Sequence, residues 1–367
     1  MNLKLYMPVT LFTGKNCVSE NAPVFSSLGK KCLIVTGGKS AEVSGALGDV
    51  ENTLKSVNIE YEIFNKITPN PLASVCIEGG SEARKIGADF IVGIGGGSAL
   101  DASKAVAICA ENPDYDINGL YTREIPSKAL PLVLVGTTSG TGSEVTGVSV
   151  LTNDNTGMKK SISGADCYAK YSFLDPKYTF SMNLSSTVST ALDALAHSVE
   201  GYFSNKSSGF TDAYAIKAIP LIYKNLKAIS DGEECTEEMH EELYYASIYA
   251  GLVINTCGCA FEHTVGYILT ENFGIPHGRA CTAFTEYFID KAKKHKKEKY
   301  DELFGILGVS ENEYIEVIEK LTDVKISATD EQIEKWCSRW NGVKNFDNTP
   351  GGFTNEEAIF CLKKLRG

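Results

Sequence analysis

The chain has 367 residues, 43% of them hydrophobic and 22% charged, with a formal net charge of −11. That length supports a large core and points to two domains, and the composition excludes global disorder. The acidic balance argues against nucleic acid as the main partner, because phosphate binding needs positive charge.

The first half alternates between short β-branched runs and helical stretches. Residues 31–36, ending at Gly37-Gly38, read as a buried strand, followed by strands at 59–64, 89–94 and 131–135. Further short strands are expected at 145–152, 159–163 and 171–175. Strand, helix, strand in repetition predicts an α/β domain built on a parallel sheet with crossover helices. From Ser186 the texture changes to amphipathic segments at about 187–203, 209–228, 236–256, 259–271 and 278–294, then shorter helices. The expected domains are 1–185, α/β, and 186–367, all-helical.

Two glycine-rich stretches follow predicted strands. Gly93–Lys104 (GIGGGSALDASK) opens a predicted helix, whose free N–H groups and positive dipole end suit a phosphate. Asp101 reads equally as a helix cap or a ligand contact. The spacing is not the usual Gly-x-Gly-x-x-Gly. The second stretch, Gly136–Thr146 (GTTSGTGSEVT), sits at the carboxyl end of a strand, the edge where open α/β sheets bind ligands. Two such loops suggest one extended ligand, and a dinucleotide fits.

The chain has five histidines. Asp193 and His197 are four apart, on one face of a predicted helix. His263 lies in Phe261–Tyr267, and His277 follows Ile275-Pro276 in a predicted loop at a helix start. Three imidazoles and a carboxylate can hold a first-row divalent metal, although each residue alone also reads as a core or capping group. His240 and His295 lie in charged stretches and read as solvated.

Eleven cysteines in scattered positions do not form a disulfide framework, and reduced thiols in a cytoplasm are expected. Cys257-Gly258-Cys259 reads as small residues inside a buried helix rather than as a metal motif. Lys291–Lys299 reads as a solvated helix face. No signal peptide is evident at the N-terminus, and the sequence has no long apolar run, so no membrane partner is expected.

Taken in order, Gly-Gly-Gly-Ser-x-x-Asp, Thr-Thr-x-Gly-Thr-Gly-Ser-Glu-Val-Thr, Asp-Ala-Leu-x-His-x-x-Glu and Ile-Pro-His-Gly resemble the iron-containing alcohol dehydrogenases. The likeness runs from Pro8 to the segment Asn348–Thr354. It implies a dehydroquinate synthase-like architecture: a nucleotide-binding α/β domain, an all-α domain and a site in the cleft between. It implies a metal held by Asp193, His197, His263 and His277, with Fe²⁺ the family habit and Zn²⁺ the alternative. It implies cofactor contacts from Gly96, Gly97, Ser98, Asp101, Thr137, Thr138, Thr141, Asn70 and Lys159. The substrate would be a short-chain alcohol or aldehyde, and relatives are often dimers or larger homo-oligomers.

Two features depart from the family pattern. Many members carry a second histidine where this chain has Tyr267, whose ordinary pKa near 10 suits a proton donor more than a base. NAD-preferring members place an Asp just after the first strand, but here the segment is Thr36-Gly37-Gly38-Lys39-Ser40. Lys39 and Ser40 would welcome a 2′-phosphate, so NADP(H) is favoured over NAD(H). The rival readings are a zinc glycerol dehydrogenase of the same superfamily, a dehydroquinate-synthase-like lyase, and an inactive nucleotide-binding sensor. The Asp-plus-three-His set argues against the last two.

Overall fold

The computed structural model describes residues 4–340 and 342–367. The chain divides into two compact units, Tyr6–Met182 and Asn183–Gly367.

In the first unit six strands form one sheet: β1 (Thr10–Thr13), β2 (Lys31–Thr36), β3 (Glu60–Asn65), β4 (Phe90–Gly95), β5 (Leu132–Gly136) and β8 (Tyr171–Leu174). Their order is β1-β8-β5-β4-β2-β3, and every pairing is parallel. The central strands β2, β4 and β5 are unbroken apolar runs because both faces of a parallel sheet are covered. β3 is an edge strand. It exposes Glu60 and Glu62, which discourage pairing with another chain. The other edge, β1, was not expected from the sequence; its register is set by pairing with β8 (Thr10 opposite Tyr171) rather than by local pattern. The stretch expected at 145–152 is a strand only from Val148. β6 (Val148–Thr152) and β7 (Lys159–Ser163) form a separate antiparallel hairpin.

The chain leaves β2 toward β3 on one side and reaches β5 from β4 on the other, so the strand order reverses between β2 and β4. A crevice at the carboxyl ends of strands forms at such a switch point. Helix α1 (Ala73–Ile86) packs on helix α2 (Gly97–Glu111), which starts directly after β4.

One buried cation ties α2 to the hairpin. The Lys104 side chain is fully buried, and its Nζ donates to Thr146 O (3.0 Å) and Val148 O (2.7 Å), with Asp101 Oδ1 at 3.5 Å. Burial lowers its pKa, and the Asp101 charge opposes that shift. Asp101 also accepts from Ser143 Oγ (2.6 Å) and Val150 N (2.8 Å). Asp101 therefore does not cap its helix: it braces the loop after β5 and the hairpin against α2.

The second unit is helical. Its central helices are α3 (Leu184–Phe203), α4 (Gly209–Ser230), α5 (Glu237–Cys257), α6 (Phe261–Phe273) and α7 (His277–Thr282). Asn183 caps α3 by accepting from Ser186 N. Helix α3 is buried along most of its length because α4, α5 and α7 all pack on it. The helix expected at 278–294 is two helices. Phe284 leaves helical geometry (φ −116°, ψ 9°) and buries its ring, and a second helix runs Thr285–His295. Cys257 ends α5 and Gly258 (φ 69°) turns the chain, so Cys259 lies in a loop and not inside a helix. His240 is buried rather than solvated, at 5% exposure, and burial lowers its pKa. In the basic run Lys291 is also buried, paired with Glu357 Oε1 at 2.7 Å, while Lys293 and Lys294 are exposed. Among the described residues no helix is long and apolar enough to cross a membrane.

Replacing Lys104 by Met removes the cation from a half-buried carboxylate and the donor from two carbonyls. Lys104→Met should lower the stability of this unit by about 3 kcal/mol. Urea unfolding followed by circular dichroism measures this; an unchanged midpoint would contradict the role given to Lys104.

Candidate active site

Asp193, His197 and Glu200 fall at i, i+4 and i+7 on α3, a spacing that aligns them on one face. His263 stands in the first turn of α6, and His277 is the first residue of α7, after Pro276. Two glycines let these helices approach. A Cβ at Gly278 would lie 1.8 Å from Ser189 O, so the His277 turn rests on the backbone of α3. A Cβ at Gly266 would lie 3.0 Å from Ala280 O, so α6 and α7 also meet closely.

The three imidazoles converge on one oxygen. Asp193 Oδ1 lies 3.4 Å from His263 Nε2, 3.8 Å from His277 Nε2 and 3.9 Å from His197 Nε2. Asp193 is 3% exposed and His263 2%. Neither Asp193 Oδ1 nor His263 Nε2 has a hydrogen-bond partner among the described residues.

Glu200 explains the orientation of His263. Its buried carboxylate accepts from Ala260 N (2.9 Å) and from His263 N (3.3 Å), and its Oε2 lies 2.6 Å from His263 Nδ1. A carboxylate there assigns the proton to Nδ1 and turns the Nε2 lone pair toward Asp193. In a neutral imidazole this sets lone pair against carboxylate oxygen, an arrangement that only a cation relieves. The donor set fits a divalent first-row ion. Burial would raise the Asp193 carboxyl, but His197, His277 and His263 outweigh it and hold it well below the usual carboxylate range. His263 is pushed up: burial opposes its charge, and the carboxylates of Glu200 and Asp193 on either side of the ring favour it. A metal ion therefore competes with a proton for this imidazole.

Tyr267 sits one turn after His263, half-buried, its ring stacked on His277 with centroids 5.5 Å apart. Burial raises its pKa far above the ordinary phenol value, so it keeps its proton at neutral pH. Near these groups Cys257, Phe261 and Leu269 are fully buried in the helical core, and Phe273 packs edge-on to Trp336. Glu200 was visible in the sequence only as a residue three past His197, with no role attached. Cys281, four past His277, carried no signal there.

The predicted cofactor residues lie in the first unit. Gly37–Ser40 follow β2, Gly96–Ser98 follow β4 and Thr137–Thr141 follow β5, three neighbouring strands. A Cβ at Gly96 would meet Thr138 Cγ2 at 2.9 Å, and one at Gly97 would meet Thr141 Cγ2 at 2.4 Å, so the two glycine loops need bare backbone to lie together. Gly37 is equally confined, by Ile67 O, and Gly38 has φ 57°. Thr137 N donates to Gly95 O (3.0 Å). The hydroxyls of Thr36, Thr137 and Ser139 are buried with no hydrogen-bond partner among the described residues, which suits a polar ligand at this edge. Lys39 and Ser40 are exposed. Asn70 is exposed in the left-handed region (φ 57°), and Lys159 begins β7.

Residues 8–176 match the family described as iron-containing alcohol dehydrogenase, and residues 187–331 match the C-terminal region of the Fe-containing alcohol dehydrogenase family. Alcohol dehydrogenase 4 of Schizosaccharomyces pombe is 33% identical over 282 residues, which span 76% of this chain and 65% of that protein. The NADPH-dependent butanol dehydrogenase of Clostridium saccharobutylicum is 28% identical over 326 residues, 88% of this chain and 82% of that one. An iron-containing alcohol dehydrogenase structure from Thermotoga maritima superposes with a TM-score of 0.91 at 36% identity, covering 99% of each chain.

Removing the carboxylate that orients His263 should loosen the site without removing a donor to the ion. Glu200→Gln should weaken divalent-metal affinity by roughly 10- to 100-fold. Affinity should also fall as pH drops, because protons compete at His263. Competition against a chelator reads both effects; wild-type affinity in Glu200→Gln would contradict the orienting role.

Proposed function

The chain belongs to the iron-containing alcohol dehydrogenase family, and from that premise we propose that Asp193, His197, His263 and His277 hold Fe²⁺ while NADP(H) serves in preference to NAD(H). The reaction is hydride transfer between the nicotinamide and a short-chain alcohol or aldehyde. The observation that carries the metal assignment is the convergence of three imidazole nitrogens on Asp193 Oδ1, with Glu200 fixing His263 from behind.

A divalent ion in this set supplies Lewis acidity to the alcohol or carbonyl oxygen, and the nicotinamide carries the redox step. The rest falls to the side chains. Asp193 brings the negative charge that offsets the ion, and burial keeps water from competing for it. Tyr267 holds its proton beside His277 and serves as a hydrogen-bond donor rather than as the base that takes the reaction's proton.

In the first unit, Gly96, Gly97 and Ser98 offer free N–H groups and a hydroxyl at the start of α2 to the pyrophosphate. Asp101 acts through Ser143 and the hairpin, holding the second loop in place. Thr137, Thr138 and Thr141 line that loop, with Asn70 and Lys159 as outer contacts. Gly37 and Gly38 turn the chain after β2 and present Lys39 and Ser40, with no carboxylate among them, to the ribose. A 2′-phosphate there gains a charge-assisted contact and meets no repulsion.

The test is anaerobic reconstitution with Fe²⁺, following NADPH and NADH oxidation separately with a panel of short aldehydes. NADPH should be preferred by about tenfold or more in kcat/KM, and Lys39→Asp should reverse the order. Turnover should vanish with a chelator. Chelator-resistant turnover would overturn the metal assignment, and a Lys39→Asp protein that still prefers NADPH would overturn the cofactor assignment.

A further inference from the structure

A sulfur lies against the proposed metal centre. Cys281 is four residues after His277 on α7, so both face the same way. Its Sγ lies 3.7 Å from His277 Nδ1 and 3.8 Å from His277 Nε2. The donor atoms of Asp193, His263, His277 and Cys281 all lie within 4.8 Å of one another. His197 falls outside that tight group and instead clusters with His263 and Cys259. The thiol is buried and forms no disulfide.

The donors are close enough for shared coordination once the Cys281 side chain turns: its Sγ is almost equidistant from the two His277 nitrogens, off the Nε2 lone-pair direction, and has to swing by about 1 Å to meet an ion held there. For bonds of about 2.1 Å to nitrogen or oxygen and about 2.3 Å to sulfur, the edges of a tetrahedral site are roughly 3.4–3.6 Å. The separations are 3.4 Å from Asp193 to His263, 3.8 Å from Asp193 to His277 and 3.8 Å from His277 to Cys281. The second, independent observation is the pair of buried atoms without hydrogen bonds, Asp193 Oδ1 and His263 Nε2, aimed into the same space.

We propose that Cys281 is a further donor to this centre, recruited when the site holds a thiophilic divalent ion such as Zn²⁺ or Co²⁺ and left as a neutral thiol when it holds Fe²⁺. This rests on the reading of the metal site given above. Thiolate ligands select softer ions, while carboxylate and imidazole accept a broader range. The chain therefore carries two overlapping ligand sets, and the ion decides which is used. On ligation the thiol proton passes to solvent, as in any thiolate site. The consequence is a specificity bias: Cys281 favours zinc and cobalt over harder ions, in a site whose other donors do not.

The test is anaerobic titration of the metal-free full-length protein with Co²⁺. Visible d–d absorption reports binding, and near-ultraviolet sulfur-to-cobalt charge transfer reports a thiolate donor. Both should grow together to one equivalent in the wild type and in Cys259→Ser. In Cys281→Ser the visible band should remain, the near-ultraviolet band should disappear, and Co²⁺ affinity should fall at least tenfold. Visible absorption without charge transfer in the wild type would overturn the proposal and leave the metal site standing. Charge transfer that persists in Cys281→Ser would overturn it as well, and its loss in Cys259→Ser would name the other thiol. No visible absorption at all would overturn both this proposal and the metal site beneath it. Should Cys281→Ser fail to fold, Cys281→Ala and the wild-type spectrum carry the same decision.

Discussion

The second unit is organised around one electrostatic arrangement: a buried carboxylate oxygen, Asp193 Oδ1, on which the Nε2 atoms of three histidines converge and where a proton or a metal ion is needed between the charges. Asp193 Oδ1 and His263 Nε2 are 3.4 Å apart, and Glu200 holds the His263 proton on the far side of the ring. Buried polar atoms without partners are costly, so natural chains keep them where something else completes the set. A divalent cation completes this one. Glu200 orients a ligand and adds charge, while burial keeps the Tyr267 phenol and the thiols of Cys259 and Cys281 protonated.

The surrounding fold makes that arrangement reachable. Three helices must approach within the reach of one carboxylate, and two of the contacts are backbone to backbone. Gly278 on Ser189 admits no side chain, and Gly266 on Ala280 leaves little room for one. The first unit solves a parallel problem with the same device. Gly96 and Gly97 pack against Thr138 and Thr141, and the buried Lys104 with its neighbour Asp101 locks the second loop to the helix that carries the first. In each unit, glycine permits closeness and a buried polar network fixes it.

The sequence carried the architecture well, for physical reasons. Buried parallel strands such as Lys31–Thr36 and Leu132–Gly136 are continuous apolar runs, and long helices such as Leu184–Phe203 keep their periodicity over many turns, so both are legible locally. β1 was not, because its four residues owe their conformation to partners far along the chain. His240 and Lys291 were misread as solvated, since charged neighbours in sequence say nothing about which face of a helix turns inward. For the site, the Asp193–His197 spacing was readable from helical geometry. Bringing His263 and His277 to the same oxygen required tertiary packing, and at the level of sequence only the family resemblance joined them. Glu200 and Cys281 gained meaning only from distances. Asp101 changed role for the same reason: its partners, Ser143 and Val150, are placed by the loop and hairpin.

The most direct test of the account is metal stoichiometry. Metal-free protein is loaded anaerobically with Fe²⁺, freed of excess ion, and assayed for iron per chain alongside His263→Ala. One tightly held iron per wild-type chain, lost in His263→Ala with the fold intact, is the predicted result. Equal iron in both proteins, or none in the wild type, would contradict it.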